Sequence, residues 1–147
     1  MNLKKLEDLF YQENSHLVEV LDKDHTNNWT PRKQRGYGIV VCEVDGLRFG
    51  IPLRSHLKHK HGQKTVGDKG IDYSKAVLLT KDSYISSQPF LIPDNEHRIL
   101  QSKEHWITQQ FSKYVQRYIK GRTKNDLNIL REYRFSTLQN YHTELGV

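Results

Sequence analysis

Residues 36–62 read GYGIVVCEVDGLRFGIPLRSHLKHKHG, a stretch whose first part predicts two strands joined by a tight turn. Residues 37–44 are β-branched and largely apolar, as strands with a buried face require. The dipeptide Asp45-Gly46 tolerates positive φ at both central positions of a two-residue hairpin turn. Residues 47–53 are the predicted return strand. The stretch therefore predicts a β-hairpin at the centre of the fold.

The composition changes abruptly where the return strand ends. Seven polar side chains fall within eight positions: Arg54, Ser55, His56, Lys58, His59, Lys60 and His61. Because loops on a stiff scaffold often carry binding and catalytic groups, this run predicts a functional rim beside the hairpin. Pro52, just before the rim, predicts an edge or a bulge, because proline cannot donate a hydrogen bond to a β-ladder.

Length and charge bound the class of protein. The 147 residues predict one domain, 1–147, with a core of its own. There are 23 Lys and Arg residues against 17 Asp and Glu, a net charge of +6. That excess favours polyanionic partners, although a merely basic soluble protein has the same charge. A single cysteine, Cys42, the lack of a membrane-spanning apolar run and the lack of a signal-peptide core predict a cytoplasmic protein and no membrane partner.

The segments around the hairpin complete the predicted sheet. Residues 8–21 fit a helical stripe, although residues 17–21 would equally suit a strand. The three glycines of residues 62–70 predict a mobile loop. Residues 71–80 predict a further strand that ends in an apolar run, and residues 84–92 predict a short one that Pro89 interrupts and Pro93 stops.

The C-terminal third is predicted to be helical. Apolar residues recur at intervals of three and four from Ile99 to Ile119, with Ser102 as N-cap and Gly121 as the left-handed residue at the C-terminus. A second helix is predicted over residues 126–133, and a third begins at Ser136. The whole pattern predicts an α+β fold, an antiparallel sheet flanked by helices.

The three histidines of the rim do not make a convincing metal site. His56, His59 and His61 have no carboxylate or thiolate close in sequence to complete a ligand set. Lys58 and Lys60 would repel a cation. We therefore expect no metal and no other cofactor.

The rim suits metal-independent cleavage of RNA. The nucleophile in that reaction is the substrate's own 2′-hydroxyl, so the protein supplies a base, an acid and positive charge for the phosphorane. Neighbouring cations bring the pKa of a histidine or lysine base towards neutrality. The same side chains would also suit a module that only grips phosphates. A DNA-binding repressor is disfavoured, because no pair of short helices shows the helix-turn-helix pattern.

Four strings resemble a known family. The motif Gly-x-Val-x-x-x-x-x-Gly, then Pro-Leu-x-Ser and a Lys/His-rich tail, resembles the toxins of type III toxin–antitoxin systems, the ToxN/AbiQ group. The strings agree best with the TenpN branch: RGYG at 35–38, IPLRSHLKHK at 51–60, IDYSKA at 71–76 and YRFSTLQNYH at 133–142.

This resemblance implies a function and partners. Members are bacterial endoribonucleases with a compact, barrel-like sheet plus helices, similar to Kid and MazF. They cleave single-stranded RNA without metal, leaving a 2′,3′-cyclic phosphate and a 5′-hydroxyl. A repeat RNA with a pseudoknot fold inhibits each toxin, which cuts that RNA into units and holds it in a closed RNA–protein assembly. The expected roles are growth arrest and phage defence.

The resemblance also implies residue roles. Ser55 matches the active-site serine, Lys58 the family's lysine, and Arg35, or alternatively Lys33, the basic residue ahead of the first strand. The family usually has Thr-Ser-Pro-Lys where this chain has RSHLK. The expected catalytic set is therefore Arg35, Arg54, Ser55, Lys58, His59 and Lys60. In this set Arg54 and Lys58 stabilise the phosphate, Ser55 positions it, and Lys58, His59 and Lys60 stay open as proton carriers.

Basic and aromatic residues around the rim are expected to hold RNA. Phosphate contacts from the two basic loops would supply salt-dependent affinity, and tryptophan or tyrosine would stack on splayed bases. The predicted RNA-binding residues are Trp29, Arg32, Lys33, Tyr37, His56, His61, Lys64 and Lys69.

Overall fold

A computed structural model describes residues 3–21, 23, 26, 28 and 38–147 of the chain. Its strands are β1 (Leu3–Lys5), β2 (Gly38–Val44), β3 (Leu47–Arg54), β4 (Gly62–Lys64), β5 (Gly70–Asp72) and β6 (Val77–Leu78). Its helices are α1 (Asp8–Glu13), α2 (Asp94–Ser102), α3 (Glu104–Thr123), α4 (Leu127–Glu132) and α5 (His142–Leu145). The α+β class and the helical C-terminal third are confirmed.

The central hairpin forms as predicted. Strands β2 and β3 pair antiparallel from Ile39 opposite Pro52 to Val44 opposite Leu47. Asp45 and Gly46 both have positive φ, 51° and 81°. Two positive φ values give the turn the twist that matches its strands, which is why an Asp-Gly dipeptide stands there.

The sheet is antiparallel throughout and open among the described strands. Its order is β1-β2-β3-β5-β4, and β6 also pairs with β3. The described pairings run from β1 at one edge to β4 at the other without closing a barrel. In the described part of the chain, no helix is long and apolar enough to cross a membrane.

Strand β3 is interior to the sheet: it pairs with β2 along one side, and with β6 and then β5 along the other. Pro52 lies where the partner on that other side changes from β6 to β5. Gly50 pairs with β6, whereas Leu53 pairs with β5, so Pro52 falls between the two ladders. Pairs beside a two-residue turn alternate between hydrogen-bonded and open, which makes Ile39 opposite Pro52 an open pair. Proline is therefore tolerated in an interior strand.

Four segments in and around the sheet differ from their predictions. Residues 62–70 form a hairpin of β4 with β5 rather than only a loop. The predicted strand at 71–80 is broken by a 3₁₀ turn at Tyr73–Lys75, capped by the Asp72 side chain. Residues 84–92 contribute one isolated bridge, Ile85 to Leu6, instead of a strand. Helix α1 ends at Glu13, and residues 17–21 form neither a helix nor a strand.

The predicted helix from Ile99 to Ile119 consists of two helices. Ser102 ends α2, and its hydroxyl donates to the carbonyl of Ile99 instead of capping α3. Serine hydroxyls commonly bond back to a carbonyl of the preceding turn, which competes with a capping role. Ser136, by contrast, caps the 3₁₀ turn Thr137–Asn140 as predicted, and Asp126 caps α4.

Gly121 lies inside α3, and the left-handed residue beyond the helix is Asn125, with φ of 49°. A Cβ at Gly121 would stand 2.5 Å from Cγ2 of Ile129 on α4. The missing side chain therefore allows α4 to pack directly on α3.

Replacing Gly121 by alanine is expected to destabilise the fold by about 1–3 kcal/mol, because the added methyl overpacks a β-branched side chain. The gain in helix propensity of about 1 kcal/mol offsets only part of this. Urea unfolding checks the prediction, with Lys120→Ala on the exposed face of α3 as the matched control. A Gly121→Ala variant more stable than the wild type would contradict the close helix contact.

Candidate active site

The site is built on Asp72, whose side chain is fully buried at the end of β5. Its Oδ2 accepts a hydrogen bond from Arg54 Nη1 at 2.7 Å and lies 3.2 Å from His59 Nε2. Its Oδ1 accepts from the backbone N–H and the hydroxyl of Ser74 at 3.0 and 2.6 Å. A buried carboxylate is stable only with such partners, so Asp72 fixes both Arg54 and His59.

The strand register brings Arg54 to Asp72. Arg54 ends β3 opposite Gly70, which places Asp72 two residues further along the neighbouring strand. Diagonal neighbours of this kind are within reach of a long side chain. A guanidinium held by one nitrogen keeps its other N–H groups available for an anion.

Leu57 anchors the polar rim to the core. It is fully buried among exposed residues, and its N–H donates to the carbonyl of Asp68 at 2.8 Å. A Cβ at Gly62 or Gly70 would come within 2.9 Å of Leu57 Cδ2. The two glycines make room for the leucine, and the chain after it turns back so that His59 reaches Asp72.

His59 has both ring nitrogens engaged. Nδ1 accepts from the backbone N–H of His61 at 3.1 Å, so Nε2 carries the proton that points to Asp72. This arrangement fixes one tautomer. In this geometry His59 positions its neighbours and has no free nitrogen to accept a proton.

His61 has the properties of a proton acceptor. Burial lowers its pKa below the usual value, and the neighbouring His59 and Lys60 side chains lower the pKa further. Its ring packs 5.5 Å from that of Tyr114 and 6.0 Å from that of Tyr133. Within the described residues, no hydrogen bond to its ring nitrogens is found. His61 is therefore neutral and free at pH 7.

These groups line one cleft of about 470 Å³, here called the main cleft. Its lining residues are Glu19, Arg54, His59, His61, Ser74, Lys75, Glu132, Arg134, Phe135 and Ser136. Lys75 connects two of the segments that line the cleft, since its Nζ donates to the backbone carbonyl of Phe135 at 2.9 Å. The cleft thus combines a fixed guanidinium, an ammonium and a neutral imidazole.

An exposed aromatic ring stands at the edge of the main cleft. Phe135 is 59% exposed, and the guanidinium of Arg134 lies 4.8 Å from its ring centroid. An exposed ring beside cations is the arrangement on which single-stranded nucleic acids stack their bases.

The predicted site residues separate into groups. Arg54, His59 and His61 meet in the main cleft, whereas Ser55 and Lys69 line a second cavity that also includes Arg54. Lys60 lines a third cavity that also includes His61. The remaining predicted residues that the structure describes are exposed and do not line the main cleft: His56, Lys58 and Lys64. Arg35, Trp29, Arg32, Lys33 and Tyr37 lie outside the described residues.

Several residues of the site have no local signal in the sequence. Asp72 and Lys75 lie in a segment that reads as an ordinary strand, and Phe135 follows a short helix. Their one sequence signal is that they belong to the strings 71–76 and 133–142. These two strings and 51–60 come together at the main cleft, and the Thr137 hydroxyl also bonds the carbonyls of Ser74 and Ala76.

The residues present suit anion binding and proton transfer. Over the described ranges, no group of three or more His, Cys, Asp or Glu side chains is placed to hold a metal ion. No protein-family model, curated protein or solved structure matches this chain.

Proposed function

We propose that this protein is a metal-independent endoribonuclease that cleaves single-stranded RNA. The observation that carries the proposal is the meeting of Arg54, held by Asp72, and the neutral His61 in one cleft. Phosphoryl transfer by an internal 2′-hydroxyl needs a proton acceptor and a cation, and this cleft holds both.

The reaction proceeds in a single displacement. His61 accepts the proton of the 2′-hydroxyl, whose oxygen attacks the adjacent phosphorus. The free N–H groups of Arg54 stabilise the charge that develops on the phosphorane. The bond to the 5′-oxygen breaks, and Lys75, the ammonium of the cleft, protonates that oxygen. The products are a 2′,3′-cyclic phosphate and a 5′-hydroxyl.

The resemblance to type III toxins agrees with this site. Three of the four strings that carry it supply the cleft, although 10 residues or more separate each from the next along the chain. The proposal therefore includes a repeat pseudoknot RNA as inhibitor and substrate, a closed toxin–RNA assembly and a role in the bacterial cytoplasm. A Kid/MazF-like fold belongs to the same proposal, supported by the antiparallel sheet and flanking helices.

The proposal is tested by incubating the purified protein with single-stranded RNA in EDTA. We expect internal cleavage with cyclic-phosphate and 5′-hydroxyl ends, and the same activity in Lys124→Gln, an exposed lysine beyond α3. Dependence on a divalent ion, or products with 3′-hydroxyl ends, would refute the proposed chemistry.

Replacing Phe135 by alanine is expected to weaken binding of single-stranded RNA by about 5- to 150-fold, the equivalent of about 1–3 kcal/mol of stacking per base. Phe135→Trp should retain the affinity. Fluorescence anisotropy with a 2′-O-methyl RNA measures binding without cleavage. Leu127→Ala, which removes an exposed apolar side chain from α4, is the matched control. Equal affinities for Phe135→Ala and the control would remove Phe135 from the RNA-binding surface.

The alternative is a non-catalytic RNA-binding module. The engagement of both His59 nitrogens favours it, because this histidine then has a structural role. In that case, loss of biological effect in any variant would follow loss of RNA affinity. A variant that binds 2′-O-methyl RNA normally and cannot cut RNA would exclude the alternative.

A further inference from the structure

A second cavity, of about 310 Å³, adjoins Arg54, which also lines the main cleft. Arg54 lines both cavities, and Ser55, Lys69, Phe90, Ile92 and Glu96 line the second. A phosphate bound at Arg54 would therefore have both cavities within reach of its neighbouring nucleotides. The volume is within the range of small-ligand pockets.

One wall of this cavity is aromatic and fixed. A Cβ at Gly38 would stand 2.5 Å from Phe90 Cδ1 and 2.7 Å from Leu53 Cδ1. The Phe90 ring thus lies directly against the backbone of β2, in space that a side chain at Gly38 would fill. The backbone N–H of Phe90 donates to the carbonyl of Leu3 at 3.2 Å, which fixes this segment to β1. A flat, held ring is a suitable surface for a base.

The other notable wall group is a buried acid. Glu96, in the first turn of α2, is only 6% exposed, and its Oε1 accepts from the Thr65 hydroxyl at 3.0 Å. Among the described residues, no ion pair neutralises it. A carboxylate in a cavity beside a phosphate site opposes binding of the phosphate itself. Its presence there is explained if it accepts hydrogen bonds from a base.

We propose that this cavity is a guanine-binding subsite in which the Glu96 carboxylate reads the base. An ionised carboxylate only accepts hydrogen bonds, and it accepts two in parallel from adjacent donors. Guanine presents two adjacent donors, N1–H and the 2-amino group, on its Watson–Crick edge. Adenine and cytosine each present one amino group beside an acceptor nitrogen that the carboxylate repels. Uracil presents one N–H between two carbonyl oxygens.

The subsite deepens the proposed function, since it rests on a phosphate at Arg54 and sets which nucleotide adjoins the cleaved bond. Binding is tested without cleavage by titrating the isotopically labelled protein with 3′-GMP, 3′-AMP, 3′-CMP and 3′-UMP. We expect 3′-GMP to bind at least about 10-fold more tightly than the others, as one charge-assisted hydrogen bond of about 1.5–3 kcal/mol implies. Its amide shifts should centre on Leu53, Phe90 and Glu96. Because the four nucleotides are compared on the wild-type protein, the result does not depend on whether any variant folds.

Glu96→Gln is expected to abolish the preference for 3′-GMP, because an amide places a donor against one of guanine's donors. Glu43→Gln, an exposed acid on β2, should keep the preference. Equal binding of the four nucleotides, tighter binding of 3′-AMP, or shifts confined to Ser74 and Lys75 in the main cleft would overturn the subsite. Metal-free cleavage without preference for guanine would overturn the subsite and leave the nuclease proposal intact. Selective binding of 3′-GMP by a protein that cuts no RNA would support the subsite and overturn the nuclease.

Discussion

Replacing Asp72 by alanine is expected to lower the free energy of unfolding by roughly 3 kcal/mol. Removing one partner of a buried ion pair leaves the other uncompensated, at a cost of about 3–5 kcal/mol. We expect the lower end of this range because the Arg54 side chain is 35% exposed and can be solvated once Asp72 is removed. At this chain length the loss corresponds to a fall in Tm of roughly 10 °C. Urea and thermal unfolding followed by circular dichroism measure both quantities.

Asp68→Ala is the matched control, since Asp68 is an exposed acid in the turn between β4 and β5. Its effect should stay within about 0.5 kcal/mol. An Asp72→Ala variant as stable as this control would show that the contacts of Asp72 with Arg54, His59 and Ser74 contribute no net stability. The milder Asp72→Asn should slow single-turnover cleavage about 100-fold by releasing Arg54 from its position.

Replacing His61 by glutamine is expected to reduce the cleavage rate by about 10²- to 10⁴-fold, the usual contribution of a general base. Affinity for 2′-O-methyl RNA should not change, because the glutamine keeps a polar side chain of similar length. Single-turnover cleavage together with anisotropy separates the two effects. A His61→Gln variant that cuts at the wild-type rate would remove His61 from the mechanism.

The pH dependence follows from the direction of the His61 pKa. Burial, His59 and Lys60 lower this pKa below 6.5, and only the neutral ring accepts a proton. The rate should therefore rise with pH through that lowered pKa and level off by about pH 7. Lys60→Gln removes one of the charges that lower the pKa, so the acid limb should move to higher pH. Lys124→Gln should leave it in place, and a rate that falls between about pH 5 and 7 would contradict the assignment.

The central hairpin was predictable because its signals are local. A run of β-branched residues and an Asp-Gly turn decide their conformation without help from the rest of the chain. The 3₁₀ turn at Tyr73–Lys75, which breaks the predicted strand, was not predictable. It depends on the Asp72 side chain, whose other partner, Arg54, lies 18 residues away. A buried acid in an apolar segment looks, in sequence, like an ordinary exposed strand residue.

The candidate site was predictable in part for the same reason. The density of charge after β3 identifies Arg54, His59 and His61 as a group. The sequence does not distinguish the two histidines, because the difference is which ring nitrogens find partners. Phe135 was not among the predicted site residues, although it lies in one of the family strings, because its exposure and its place beside Arg134 are tertiary facts.

Apart from Glu19, the residues that line the main cleft come from two segments, 54–75 and 132–136. During translation, the first of these segments leaves the ribosome well before the second. A nascent chain that stops short of residue 132 carries Arg54 and His61 but not the aromatic ring, nor the carbonyl that holds Lys75. The order of synthesis therefore delays assembly of the complete cleft until the C-terminal helices have emerged. If the proposed RNA cleavage is correct, this delay limits the damage that an unfinished polypeptide does to the messenger RNA that encodes it.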